Sequence, residues 1–268
     1  MDQSGDMEQL EERLQAVLVL ARQAGAAIMQ LYTGDDKRWE VTHKADNSLL
    51  TQADLAAHLV LVAGLQQLTP DIPVVSEEDV ASQQVRHSSA RFWLIDPLDG
   101  TKEFVARNGE FTVNIALIEQ GRPVLGVVFA PALDAAYMGG SGMGAFRELQ
   151  GVRTPIHVAS AGNVVRVVAS KSHLNTETEQ FIARLGVHEL VQAGSSLKFC
   201  RVAEGSADIY PRLAPTCEWD TAAAQAVLEA AGGVVTDLQG APLVYGKADV
   251  LNPSFIAASR LLTGSIFA

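Results

Sequence analysis

The chain has very little cysteine, too little positive charge to balance its acids, and no long uninterrupted apolar run. Cys200 and Cys217 are the only cysteines in 268 residues and sit in no CxxC or Cys/His pattern. That excludes a zinc centre and a disulfide framework, and it fits a reducing cytoplasm. Lys and Arg number 20 against 31 Asp and Glu, a net charge of −11. Nucleic acid and anionic membrane surfaces are therefore poor partners, and an anionic small-molecule ligand would need metal ions as mediators. No apolar stretch approaches the roughly 20 residues that span a bilayer, so no transmembrane segment is expected. The polar start Met1-Asp2-Gln3-Ser4-Gly5-Asp6 does not read as a signal peptide. A GxGxxG or Walker loop, internal repeats and low-complexity tracts are also missing.

What is present centres on Asp96-Pro97-Leu98-Asp99-Gly100-Thr101, after the apolar run Phe92-Trp93-Leu94-Ile95. The run reads as a short buried strand that brings two carboxylates, a turn and a hydroxyl to the end of a sheet edge. Pro97 and Gly100 shape the turn so that Asp96 and Asp99 converge. Two carboxylates at roughly 4 Å in an effective dielectric near 20 repel by about 4 kcal/mol, which a divalent cation reverses. A plain surface turn is the alternative, since Asp, Pro and Gly are ordinary turn residues.

Upstream, Leu10, Leu14, Val17, Ala21, Ala24, Ile28 and Leu31 recur at helical spacing and predict a long amphipathic helix from Met7 to Tyr32. Gly34 to Ser48 reads as an exposed loop or hairpin, with Lys44 to Ser48 as a stretch that could lie near a site. Thr51 to Asp54 opens a second helix, carried by Leu55, Leu59, Val62 and Leu65; the spacing of Thr51 and Asp54 is that of a capping box, which alone would explain both. A short strand at Pro73-Val74-Val75 leads into Ser76-Glu77-Glu78-Asp79, either a solvated acidic face or a source of one metal ligand. Beyond the central motif, Phe111–Ile118, Val124–Phe129 and Ala135–Met138 predict an antiparallel meander, with Gly139–Gly144 as a hairpin turn.

The style changes near Pro155 to Gly162, which divides the chain into an N-terminal α+β half, residues 1–155, and a C-terminal α/β half, residues 156–268. In the second half strands are expected at Val164–Ala169, Ala207–Tyr210, Val234-Val235 and Phe255–Ala258. Helices are expected at Glu177–Leu185, Leu197–Glu204 and Thr221–Ala231. Gly194-Ser195-Ser196-Leu197-Lys198 combines backbone N–H groups, hydroxyls and a cation suited to phosphate, although a serine there could be only an N-cap. Asp220 in Glu218-Trp219-Asp220 could likewise be only a helix cap.

Ser76-Glu77-Glu78, Asp96 to Thr101 and Trp219-Asp220-Thr221-Ala222-Ala223, in this order and spacing, resemble the inositol monophosphatase superfamily of metal-dependent, lithium-sensitive phosphatases. Lys102-Glu103-Phe104, Asn108 to Asn114, Gly194 to Cys200 and Tyr210-Pro211-Arg212 are similar to bacterial members of its 3′(2′),5′-bisphosphate nucleotidase branch. The resemblance implies an α/β (α+β) fold, a layered α/β/α/β/α sandwich with metals at the junction of the halves. It implies two or three Mg²⁺ ions. Glu77, Asp96 and the Leu98 carbonyl would hold one, Asp96, Asp99 and Asp220 a second, with Glu77 also helping a third. Asp54 and Thr101 would position or deprotonate the attacking water, and Gly100 with Thr101 would offer N–H groups to the scissile phosphate. Ser170, His173, Gly194, Ser195, Lys198 and Arg212 would surround the nucleotide.

Oxygen donors without His or Cys suit Mg²⁺ independently of the resemblance. The implied reaction is removal of the 3′-phosphate of adenosine 3′,5′-bisphosphate to give AMP, in sulfur assimilation, with the sulfated nucleotide as a possible further substrate. Inositol monophosphatase or fructose 1,6-bisphosphatase activity is the rival within enzymes, and Lys102, Lys198 and Arg212, cations for a second phosphate, argue against it. A non-catalytic metal- or phosphometabolite-binding protein is the rival outside enzymes. The resemblance places the protein in the cytoplasm and leaves peripheral attachment to the inner membrane open, without support from any basic amphipathic helix. Oligomeric state is not legible.

Overall fold

A computed structural model of the chain describes residues 3–34, 42–43, 49–160, 164–170 and 175–260. The chain begins with α1 (Gln3–Tyr32), then the short antiparallel pair β1 (Thr42–His43) and β2 (Leu49–Leu50), and α2 (Gln52–Leu68). A sheet is built next from β3 (Val74–Ser76) and β4 (Arg91–Asp99), with α3 (Thr101–Val105) before β5 (Thr112–Glu119). It continues through β6 (Arg122–Ala130), β7 (Ala135–Gly140), β8 (Gly144–Leu149) and β9 (Val152–Ile156). The second half supplies β10 (Val165–Ser170), α4 (Thr176–Arg184), β11 (His188–Ala193), α5 (Leu197–Ala203), β12 (Ile209–Arg212), α6 (Glu218–Ala230), β13 (Gly233–Asp237) and β14 (Phe255–Ser259).

The first sheet has seven strands in the order β3 to β9, with β3 parallel to β4 and every later neighbour antiparallel. The second has five, in the order β11-β10-β12-β14-β13. Successive side chains of a strand face opposite ways. On β4, Trp93 and Ile95 join α1 and α2 in one core, while Phe92 and Leu94 face a second core shared with α5, α6 and the five-stranded sheet. Val167, Ala169, Ile209 and Ile256 face outward from the second sheet against Ile182 of α4. The layers are therefore α/β/α/β/α, as expected. Each fully buried Trp, Phe, Leu or Ile contributes roughly 1.5–3 kcal/mol through removal from water.

α6 lies between the sheets, and Trp219, Ala222, Ala223, Ala224, Ala226, Val227 and Leu228 are all buried, as a helix covered on every side requires. Its alanines permit very close approach. A Cβ on Gly126 of β6 would fall 2.1 Å from the Ala223 carbonyl oxygen, so only glycine fits beneath the helix.

Five points differ from the sequence expectation. Pro97 and Leu98 do not turn; they continue β4, which shifts register in an irregularity between Asp96 and Asp99. β4 is an interior strand, because β3 takes the edge. On α2 the core face is Ala53, Ala57, Leu61 and Leu65, while Leu55 and Leu59 are exposed: small residues were needed where helices pack closely. β11 has no clear alternating signal in the sequence, because His188, Glu189 and Gln192 put polar residues on both of its faces, as an edge strand tolerates. α1 also passes the length and hydropathy of a membrane span over Met7–Tyr32, contrary to the expectation of no such stretch. Its stripe of Leu14, Val17, Ala21, Ala24 and Ile28 is buried in the core with α2 and the first sheet.

Candidate active site

Parallel pairing of β3 with β4 aligns Ser76 with Ile95, and the Glu77 N–H donates to the Ile95 carbonyl at 3.2 Å. Glu77 thereby arrives beside Asp96. Asp96 is 1% exposed, and its Oδ1 accepts the Leu98 N–H at 3.0 Å across the irregularity. Asp220 comes from the first turn of α6, where its Oδ2 accepts the Cys217 N–H at 2.8 Å. Carboxylate oxygens of Glu77, Asp96 and Asp220 all lie within 4.8 Å of one another. Burial, then the charges of Asp99 and Glu77, push the Asp220 carboxyl well above the ordinary carboxylate range. Crowded acids with only oxygen donors could hold a hard divalent cation. Capping and clustering are both true of Asp220: the cap aims one oxygen at the backbone.

Asp99 is placed differently. It stands outside that trio, and its Oδ2 accepts the Ser196 N–H at 2.6 Å and the Ser196 hydroxyl at 2.8 Å, with Asn114 Nδ2 at 3.5 Å. Ser196 Oγ also takes a bond from Asn114 Nδ2 at 2.8 Å and lies 3.0 Å from the Asp220 carbonyl oxygen. One buried hydroxyl therefore joins β4, β5 and α6. Sequence reasoning did not single out Ser196 or Asn114 as site residues; the two serines in Gly194-Ser195-Ser196 were indistinguishable there. Ser196 occupies the N-cap position of α5, but its side chain makes no cap bond, so the cap alternative fails for it.

After Asp99, Gly100 takes φ of 90°, a left-handed conformation that glycine adopts without steric cost, and the chain turns into α3 at Thr101. The Thr101 hydroxyl donates to Asp54 Oδ1 at 3.4 Å and lies 3.5 Å from the Leu98 carbonyl. Asp54 Oδ2 accepts from the Thr51 N–H at 2.8 Å and the Thr51 hydroxyl at 2.5 Å. The capping box is thus real, and it holds Asp54 with its other oxygen toward Thr101.

The residues expected around a nucleotide are partly gathered. Gly194 packs against α3 and its exit: an added Cβ would lie 2.8 Å from the Glu110 carbonyl oxygen and 3.0 Å from Glu103. Ser195, at φ of 41°, receives a bond from Thr112 Oγ1 at 3.3 Å. Lys198 is 6% exposed; Nζ donates to the Ser195 carbonyl at 2.6 Å and lies over the Tyr210 ring. Burial pushes its pKa down to about 8, against the pull of Asp99 and with the push of Arg212. Arg212 ends β12 and donates through Nη2 to the Pro215 carbonyl at 3.2 Å. Ser170 ends β10; the orientation of its side chain, His173, and Lys44 to Ser48 lie outside the described residues.

The chain matches the inositol monophosphatase family over residues 9–266. It is 54% identical to the 3′(2′),5′-bisphosphate nucleotidase CysQ of Escherichia coli K12, over 90% of this chain and 98% of that protein. The corresponding CysQ of Buchnera aphidicola from Acyrthosiphon pisum is 41% identical over 92% and 93%. Among solved structures, CysQ from Bacteroides thetaiotaomicron superposes with a TM-score of 0.83 at 42% identity, covering 93% of this chain and 97% of that one. An IMPase from Thermotoga maritima gives 0.78 at 27% identity, covering 96% and 95%.

Proposed function

The chain belongs to the inositol monophosphatase family, and from that membership we propose that it is a Mg²⁺-dependent 3′(2′),5′-bisphosphate nucleotidase. Its reaction is hydrolysis of the 3′-phosphate of adenosine 3′,5′-bisphosphate to AMP and phosphate, in the cytoplasm, where it clears a by-product of sulfur assimilation. The observation that carries the reading is the acid cluster of Glu77, Asp96 and Asp220 in a chain 54% identical, nearly end to end, to curated bisphosphate nucleotidases. The two cations Lys198 and Arg212, close enough to influence each other, supply what a second phosphate needs.

Glu77, Asp96, the Leu98 carbonyl, Asp99 and Asp220 are the residues that would hold two or three Mg²⁺ ions. When bound, such ions lower the pKa of a water, polarise the phosphoryl group and neutralise the leaving oxygen. The chain's own residues do the rest. Asp54 Oδ1 accepts the Thr101 hydroxyl proton, which leaves the Thr101 oxygen to receive a proton from the attacking water and fixes that water's line of approach. Deprotonation runs toward Asp54, whose other oxygen is already occupied by Thr51. Gly100 and Thr101 offer backbone N–H groups to the transferred phosphoryl group, and Ser195, Lys198 and Arg212 hold the nucleotide from the other half.

The test is phosphate release by the purified protein from adenosine 3′,5′-bisphosphate, inositol 1-phosphate and fructose 1,6-bisphosphate, each with Mg²⁺ and with chelator. Strong preference for the nucleotide, lost on chelation, is the expected result. Preference for inositol phosphate would overturn the use of Lys198 and Arg212, and release that survives chelation would overturn the metal role of the acids.

A further inference from the structure

A second set of buried charges lies one turn from the site and takes no part in the chemistry above. Glu218, the first residue of α6, is fully buried. Its Oε1 accepts from Lys247 Nζ at 2.6 Å and from the Lys247 N–H at 3.0 Å, and its Oε2 accepts the Gly246 N–H at 2.9 Å. Arg86 Nε stands 3.8 Å from the same Oε2, with a side chain only 4% exposed. Arg86 reaches on to the Gln83 carbonyl at 2.5 Å and the Ala248 carbonyl at 3.2 Å. Gln83, in the same 3₁₀ turn of Ser82–His87, donates through Nε2 to the Glu77 carbonyl at 3.3 Å.

The contacts form a continuous path from the backbone of Glu77 to the turn of α6 that bears Asp220. Those are the two acids of the cluster that do not come from β4. A buried anion with one buried and one partly exposed cation is a poor source of net stability, because apolar side chains of equal volume stabilise as well. What they do provide is a single geometry: Glu218 meets four partners from two segments and can satisfy them in one placement of α6.

We propose that the Arg86–Glu218–Lys247 ion cluster is a positioning device for the metal site. It pins the first turn of α6 to the loop after β3, so that Glu77 and Asp220 stay at coordination distance despite their mutual repulsion. The inference rests on the reading of Glu77, Asp96 and Asp220 as a cation site.

The experiment is titration of the chelator-stripped full-length protein with Mn²⁺, followed by its electron paramagnetic resonance signal, for wild type, Glu218→Gln and Asp96→Asn. Glu218→Gln keeps shape and an acceptor but loses the charge, and it is expected to weaken Mn²⁺ binding by about 10- to 100-fold, the usual effect of removing a group that orients metal ligands. The Mg²⁺ concentration for half-maximal activity should rise by the same factor while kcat falls less. Wild-type Mn²⁺ affinity in Glu218→Gln, with a melting temperature lowered equally with and without metal, would make the cluster purely structural and overturn the inference. Wild-type affinity in Asp96→Asn would instead overturn the cation site itself. Should Glu218→Gln fail to fold, Lys247→Gln, whose side chain is 24% exposed, carries the same test with the same two outcomes.

Discussion

Lys198 shows how much one side chain's surroundings matter. A lysine normally keeps its charge to about 10.5, but burial here lowers that to about 8. Below pH 8 it is protonated in folded and unfolded chains alike. Between about 8 and 10.5 the unfolded chain holds the proton and the folded one does not, so stability rises with pH across that window. Nucleotide binding moves the opposite way, because the charge available to phosphate disappears. At saturating Mg²⁺ the KM for adenosine 3′,5′-bisphosphate should rise about tenfold from about pH 7 to about pH 9.5, the worth of a charge-assisted hydrogen bond. Steady-state kinetics of Lys198→Gln should show a high KM at both pH values; a full rise in that variant would assign the effect elsewhere. The sequence displayed Lys198 as a cation near serines, but its burial against Tyr210 and its bond to the Ser195 carbonyl depend on how α5 and β12 meet. Ser196 is the opposite case: nothing local separates it from Ser195, yet it is the hydroxyl that touches Asp99, Asn114 and the Asp220 carbonyl.

Elements carry the next layer, and α2 is the instructive one. Its capping box stabilises the helix end and at the same time aims Asp54 at Thr101. Thr51→Ala should therefore have two separable effects. Loss of the cap costs about 1 kcal/mol, readable by chemical denaturation. Release of Asp54 lowers kcat with little change in KM, and Thr51→Ser restores both. A kcat equal to wild type in Thr51→Ala would leave the cap as the residue's whole purpose. Capping motifs are local, which is why Thr51 and Asp54 were legible as a pair. The face of α2 was not: helical spacing allows either Leu55 with Leu59 or Ala57 with Leu61, and only the closeness of the packed core selects the small residues. In the same way Pro97 suggested a turn, whereas pairing with β5 keeps it in an irregular strand.

At the scale of the whole molecule, the site exists because two sheets share one helical layer. β4 brings Asp96, the end of β3 brings Glu77 and α6 brings Asp220, while Asp99 at the end of β4 is held by Ser196. Burial first, and then the charges of Asp99 and Glu77, raise the Asp220 carboxyl, so crowded acids work against the folded cluster. A cation that binds only the folded state must stabilise it. At 100 times its dissociation constant the gain is about 2.7 kcal/mol, which in a chain of this size raises the melting temperature by about 5–10 °C. Calorimetry with Mg²⁺ and with chelator should show that shift in wild type and its disappearance in Asp96→Asn. An equal shift in both would place the stabilising ion away from this cluster.

The sequence by itself determined the fold class, most of the longer helices and strands, and the acids and hydroxyls offered for chemistry, because those properties reside in periodicity and in short motifs, whereas β8, β9 and β11 carry no such signal. It also carried the family, through the order and spacing of Glu77, Asp96 to Thr101 and Trp219-Asp220. Only the tertiary structure decided which carboxylates meet, which face of α2 is buried, that Ser196 governs Asp99, and that Arg86, Glu218 and Lys247 form one cluster. Each of these depends on residues more than 15 positions apart, brought together by the packing of α1 on α2, by the pairing of β3 with β4 and by the placing of α6 between two sheets, and no local pattern encodes such a distance.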